Sequence, residues 1–397
     1  MFNLNRMTEK EKKFKVVSLY SGAGGLDLGF KKAGFDIIWA NDFDKDSYET
    51  YKNNIGIHIK HGDINDFKGE LIRDKCDVDI LIGGPPCQGF SVAGKMDPKD
   101  PRSKHVWTFV EILSKLLPRA FVMENVKALG GLKKWKPLRE ELIKQMRDLG
   151  YSVNSIIVNA SDFNVPQARE RVLFIGFKTK SKIVPNLVEM FKPYQRKAQT
   201  VREALAILNK AGTGNNISLC KAKVTLTNKP VLRKSPYAGM LFNGLGRPVK
   251  IDGYCATLPA TMGGNKTPII DEEELYNQKG SWVHEYHSKI INKKVTPKYK
   301  EAPSHLRRLT LEEARIIQTF PEDYQFYGSQ SSKFRQIGNA VPCNLAFQIA
   351  KMIKHHLALY PLEKYLIPLE NHIILEETIN VNQFKSLKRR EETISGV

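Results

Sequence analysis

Three groups of side chains in this 397-residue chain stand where their types and spacing could do chemistry. Cys87 is the first, within Leu81-Ile-Gly-Gly-Pro-Pro-Cys-Gln-Gly-Phe-Ser91. The thiolate is the nucleophilic form of cysteine and a basic surround favours it, although a lone cysteine is more often a small buried hydrophobe. The second group is the glycine-rich run Ser21-Gly-Ala-Gly-Gly-Leu-Asp-Leu-Gly29, where the backbone can come close to a ligand. Its spacing is not that of a pyrophosphate fingerprint: from Gly22 and Gly24 the third glycine would fall at Asp27, whose carboxylate would repel a pyrophosphate. The loop suits a nucleoside or amino-acid cofactor better than NAD. Asp42, Phe43 and Asp63 make the third group. A carboxylate after a second strand can hold a ribose diol and an adjacent ring can stack on adenine; Asp42 could instead cap the helix behind it.

The elements that must position these groups are legible as alternating strands and helices. Lys15–Tyr20, Asp36–Ala40, Ile57–Ile64 and Val78–Ile82 read as four successive strands, with a short helix before Gly34 and another over Lys45–Asn54. Two glycines and two prolines end the fourth strand, which sets Cys87 on a stiff loop at the carboxyl edge of the sheet, where open α/β folds bind ligands. A polar loop, Ala93–Ser103, follows. Then come a helix over 104–117, a strand over Ala120–Met123 leading into Glu124-Asn-Val126, and a helix with Pro137 near its start and Gly150 just past its end. Two β-branched runs, 151–160 and 171–177, flank Gln167-Ala-Arg-Glu-Arg171. There, Arg169 and Arg171 would share one face of an extended segment.

After Lys178 the texture changes to Lys, Asn, Gly, Pro and Thr with short strand-like pieces. Helical periodicity returns at Thr310-Leu-Glu-Glu313, a capping box, and again near 344–358. This divides the chain into a first catalytic and cofactor-binding part (1–178), a small basic region (179–321) and a return to the first domain with a charged tail (322–397). The net charge is +20, and residues 178–308 carry 24 Lys/Arg against 9 Asp/Glu. That excess favours a polyanionic partner, most simply nucleic acid. Five scattered cysteines without CxxC spacing argue against disulfides and structural zinc, so no metal is expected and a cytoplasmic location is. The charged N-terminus lacks a signal-peptide core, and no apolar run is long enough to span a membrane.

Six ordered motifs together resemble the DNA (cytosine-5)-methyltransferases of bacterial restriction–modification systems. They are Ser18-Leu-Tyr-Ser-Gly-Ala-Gly-Gly25, Gly83-Gly-Pro-Pro-Cys-Gln88, Glu124-Asn-Val126, Gln167-Ala-Arg-Glu-Arg171, Arg308-Leu-Thr through Gln318-Thr-Phe-Pro321, and Gly338-Asn-Ala-Val-Pro342. Each is short, but their shared order is specific. Tyr20 stands where Phe is usual, Ser103 where Gly often follows Asp-Pro-Arg, and Thr319 where Gly often precedes Phe-Pro.

The resemblance implies a Rossmann-like α/β domain that uses S-adenosyl-L-methionine, joined to a smaller, irregular, mostly β target-recognition domain. It further implies methylation of cytosine carbon 5 in one double-stranded DNA sequence. Cys87 would add to carbon 6, Glu124 would act as an acid at nitrogen 3, and Arg169 and Arg171 would hold the base and brace Glu124 or the Cys87 loop. A carboxyl that donates a proton needs a raised pKa, which burial can supply. Tyr20, Ser21, Gly22, Gly24, Gly25, Asp42, Phe43, Asp63, Pro86, Asn339 and Ala340 become candidate cofactor contacts. Arg247, Thr257, Asn265 and Lys266 become candidate DNA readers, in a monomer paired functionally with a cognate restriction endonuclease. The related tRNA cytosine methyltransferases offer the alternative substrate, RNA, but the long basic insert favours DNA.

Overall fold

The structure, a computed structural model, describes residues 13–72, 76–86, 104–179, 184–358 and 366–367. Its frame is a seven-stranded sheet. The first half supplies β1 (Lys15–Leu19), α1 (Gly25–Lys32), β2 (Asp36–Asp42), α2 (Lys45–Asn54), β3 (Ile59–His61) and β4 (Ile80–Gly83). There follow α3 (Lys104–Leu116), β5 (Ala120–Val126), α4 (Lys127–Gly131), α5 (Lys136–Asp148), β6 (Tyr151–Asn159), β7 (Gln167–Ala168) and β8 (Glu170–Lys178).

The sheet order is β3-β2-β1-β4-β5-β8-β6. Strands β1 to β5 run parallel, while β8 lies antiparallel between β5 and β6. Successive residues of a strand face opposite sides, and both sides are covered. Val16, Ile80, Ile82 and Val122 pack under α1 on one face. Val17, Leu81, Phe121 and Met123 pack under α3 and α5 on the other. This accounts for the unbroken apolar runs of the central strands.

Pairing with β8 alters one boundary. The apolar run of the fifth strand stops at Met123, yet β5 continues to Val126 because Glu124 sits opposite Leu173 and Val126 opposite Arg171. Glu124 therefore lies inside a strand rather than beyond its end. The third strand is shorter than its sequence suggests, and Asp63 caps the 3-10 turn behind it by accepting from Asn65 N.

The basic middle region begins with β9 (Val184–Pro185), α6 (Leu187–Phe191) and α7 (Val201–Leu205). Then come β10 (Thr225–Val231), β11 (Met240–Phe242), β12 (Cys255–Ala256), β13 (Ile269–Asp271), α8 (Glu272–Asn277), α9 (Trp282–Ile291), β14 (Lys300–Glu301) and β15 (Leu306–Arg308). A three-stranded sheet, β11-β10-β14, packs with α9 around Leu226, Phe242, Val283 and Ile290.

The chain returns through α10 (Leu311–Ile317), α11 (Gln330–Asn339) and α12 (Cys343–Ala358). Here α12 lies against α1 so closely that a Cβ on Gly29 would stand 2.3 Å from Ala346 Cβ. A last strand pair joins Leu366–Ile367 to β9. The remaining C-terminal residues, read as an exposed tail, lie outside the described residues.

Candidate active site

The carboxyl ends of β1, β2, β4 and β5 converge because these strands are adjacent and in register: Leu19 pairs with Gly83, and Gly83 with Met123. Each candidate group is therefore delivered to one edge.

At β1 the chain turns through Tyr20, Gly22 and Gly24, all at positive φ (55°, 56° and 78°). The two glycines take this geometry without cost and Tyr20 does not. Its ring packs edge-on to His105 at 5.4 Å, and its hydroxyl lies 3.2 Å from His105 Nδ1. The loop is clasped from the neighbouring strand: Asp42 accepts from Gly22 N at 2.7 Å and from Asp44 N at 2.9 Å. Burial pushes the Asp42 carboxyl up to about 6. The helix-capping role open to Asp42 belongs to Asp44, which accepts from Ser47 N at 2.9 Å. Phe43 is 74% exposed beside this clasp. From the other side, Gly25 meets the segment around Asn339 and Ala340, where an added Cβ would lie 2.3 Å from the Val341 carbonyl. Tyr324 Oη donates to the Ala23 carbonyl at 2.6 Å from beneath.

Asp27 does not act as its position in the glycine pattern suggests. Rather than lining the ligand side of the loop, it is fully buried between α1 and α2 and accepts from Tyr51 Oη at 2.9 Å. The pyrophosphate fingerprint is still unmet, but the reason is the missing glycine and not an exposed charge.

At the end of β5, Glu124 Oε1 is 2.9 Å from Arg171 Nε, and both side chains are largely buried. The other carboxylate oxygen faces Gly84, where a Cβ would stand 3.2 Å from it. Asn125 Nδ2 donates to the Pro85 carbonyl at 3.1 Å. Strand β5 therefore grips the root of the Gly83-Gly-Pro-Pro86 segment. Cys87 itself, like Ser103, lies outside the described residues. Three of the described cysteines are poor candidates for a thiolate: burial pushes Cys255 up to about 12 and raises Cys343 and Cys76 as well.

Arg169 differs from the expectation of one continuous strand face. It falls between β7 and β8, fully buried, with Nη1 donating to the Leu258 carbonyl at 3.3 Å and Nη2 to the Asn339 carbonyl at 3.4 Å. Of the two arginines, Arg171 makes the ion pair with Glu124. Sequence periodicity cannot show this, since β7 exists only by pairing with Cys255–Ala256.

Among the candidate readers, Arg247, Asn265 and Lys266 are exposed on two adjoining turns, held together by Gly246 N donating to the Asn265 carbonyl at 3.2 Å. Arg308 pins this corner from inside by donating to the Thr267 carbonyl at 2.9 Å. Thr257 stands apart, its hydroxyl donating to the Ala168 carbonyl at 3.1 Å.

The donor set fits a nucleoside cofactor of the S-adenosylmethionine kind. It offers free backbone approach at Gly22, where an added Cβ would meet nothing within 4 Å, a carboxylate at Asp42 with lone pairs beyond its two backbone bonds, and the exposed ring of Phe43. Among the described residues no cluster has the composition of a metal site, and no helix is long and apolar enough to cross a membrane.

Residues 14–355 match the model of the C-5 cytosine-specific DNA methylase family. The chain is 34% identical over 353 residues to the type II methyltransferase M.MthTI of Methanothermobacter thermautotrophicus, covering 86% of this chain and 97% of that protein. It is 31% identical to M.FnuDI of Fusobacterium nucleatum, with 86% and 95% covered. In fold it resembles the S. pombe Dnmt2 methyltransferase, with a TM-score of 0.59 at 21% identity over 86% of this chain and 99% of that one. The Entamoeba histolytica methyltransferase EhMeth gives 0.60 at 17% identity, over 87% and 99%. The chain belongs to the C-5 cytosine-specific DNA methylases and is a DNA cytosine-5-methyltransferase of the restriction–modification type.

Proposed function

We propose that this methyltransferase acts on one cytosine within a specific double-stranded DNA sequence, through base flipping and a covalent Cys87–carbon 6 adduct. Its proposed role is to protect DNA from a cognate restriction endonuclease. The observation that carries the reading is the Glu124–Arg171 pair set over Gly84, at the root of the segment that leads to Cys87 and one strand from the glycine-rich loop.

Cytosine carbon 5 is a weak nucleophile. Addition of the Cys87 thiolate to carbon 6 would make the ring an enamine whose carbon 5 is reactive. Negative charge then builds at nitrogen 3, where Glu124, held by Arg171, would meet it by donating a proton. Once carbon 5 is methylated, loss of the carbon 5 proton would re-form the double bond between carbon 5 and carbon 6 and expel the Cys87 thiolate. S-adenosylmethionine, when bound, supplies an electrophilic methyl group. Ser21, Gly22, Gly24, Gly25, Asp42, Phe43, Asp63, Pro86, Asn339 and Ala340 are the residues that would hold it, with Tyr20 shaping the loop. A stacked base cannot reach such a site, so the target must be extruded, costing a few kcal/mol. Phosphate contacts from the basic middle region supply part of that, and Arg247, Asn265, Lys266 and Thr257 are the proposed readers. The enzyme is proposed to act as a monomer in the cytoplasm.

Bisulfite sequencing of DNA from cells expressing the protein should reveal one short sequence methylated at cytosine carbon 5. With Cys87→Ser that methylation should disappear while binding to the same duplex persists. Substantial turnover by the serine variant would overturn the adduct mechanism.

A further inference from the structure

The segment Gln167-Ala-Arg169, just before β8, meets two other parts of the chain through buried polar groups. Gln167 is fully buried, and its Oε1 accepts from Leu258 N at 3.0 Å. Its Nε2 donates to Gln318 Oε1 at 2.5 Å, and Gln318, also fully buried, donates through Nε2 to the Ala340 carbonyl at 2.5 Å. The polarity of this relay is fixed at both ends. Leu258 N–H can only donate and the Ala340 carbonyl can only accept, so both amides must point the same way. Arg169 repeats the connection beside it, joining the carbonyls of Leu258 and Asn339. One end of the relay is the segment that carries Thr257; the other is the segment packed on Gly25 of the cofactor loop.

We infer that Gln167 and Gln318 are positioning residues that couple DNA engagement by the middle region to cofactor engagement by the glycine-rich loop. The inference rests on the proposed function. Both amides in this head-to-tail chain are fully buried, where losing a partner at one end is costly, so displacement there disturbs the bond at the other. A duplex engaged at Thr257 would act on one end of this relay and a cofactor held at Asn339 and Ala340 on the other; the two amides give both a common path. Coupling of this kind is reciprocal and is established by measuring it, not by proximity.

The test measures binding of a short duplex carrying the methylated sequence, with and without saturating S-adenosylhomocysteine, and of S-adenosylhomocysteine with and without duplex. In the unaltered protein each ligand should tighten the other by at least about fivefold. Gln167→Met and Gln318→Met keep side-chain length but break the relay. Each should bring the mutual effect to within about twofold of none, and the double variant should lose no more than either single one. Gln318→Glu sets an acceptor against the Ala340 carbonyl and should have the same effect if a methionine variant fails to fold. Folded single variants that keep the original coupling, or losses that simply add, overturn the inference while leaving the function intact. So does an unaltered protein that binds both ligands independently. A protein that binds neither overturns the function as well.

Discussion

Asp27 has one carboxylate oxygen on Tyr51 Oη, and its other oxygen is buried. Burial raises its pKa from 3.8 to about 6. A carboxyl whose folded pKa lies above its unfolded value stabilises the fold at low pH, and that contribution is lost as pH rises through about 6. Asp27→Asn stays neutral and can still accept from Tyr51. The melting temperature of the variant relative to the parent should therefore rise between about pH 4 and about pH 7; parallel curves over that range would refute the assignment. Family departures visible as letters gain physical meaning at this scale. Thr319, in place of the usual glycine, sits at φ 62°, and its hydroxyl accepts from Asn344 N at 3.0 Å in the first turn of α12. The hydroxyl of Tyr20, absent from a phenylalanine, is the one that reaches His105. Residue identity was readable from sequence at both positions; the backbone angle that makes each substitution matter was not.

Helix starts were the most legible elements, because a capping box is a local arrangement of four residues. Thr310 and Glu313 form one as expected, accepting from each other's backbone N–H. What the four letters do not show is that the Thr310 hydroxyl also donates to the buried Asn216 at 2.6 Å, tying α10 to the middle region. Thr310→Ala removes the cap and strands Asn216, and should cost about 2 kcal/mol in chemical denaturation. Thr310→Ser should recover most of it, and an alanine variant as stable as the parent would show the cap to be idle. Strand limits were the least legible. The end of β5 at Val126 and the existence of β7 depend on partners 45 or more residues away in sequence, at Arg171 and at Cys255–Ala256, and no local pattern encodes them. For the same reason Glu124 could be singled out by its motif while its pairing with Arg171 rather than Arg169 could not.

Across the whole molecule, composition pointed to a polyanion partner and chain order to an interrupted catalytic domain. Replacing residues 180–305 with the corresponding region of a relative should change which sequence is methylated, read by bisulfite sequencing, while Glu124 and Arg171 stay in place. Unchanged specificity would move target recognition elsewhere. The interruption bears on synthesis as well. The helix behind the glycine-rich loop, α1, has its cover in α12, and Lys354 bonds to the Ala33 carbonyl across 321 residues of chain. At elongation rates of about 5–20 residues per second, the ribosome needs roughly 15 to 60 seconds to make that span. Throughout that interval the glycine-rich loop is anchored to a helix with a bare apolar flank, and the most non-local contacts close last. A nascent or prematurely terminated chain that lacks α12 would therefore carry most of its motifs on a sheet whose α1 face is left uncovered.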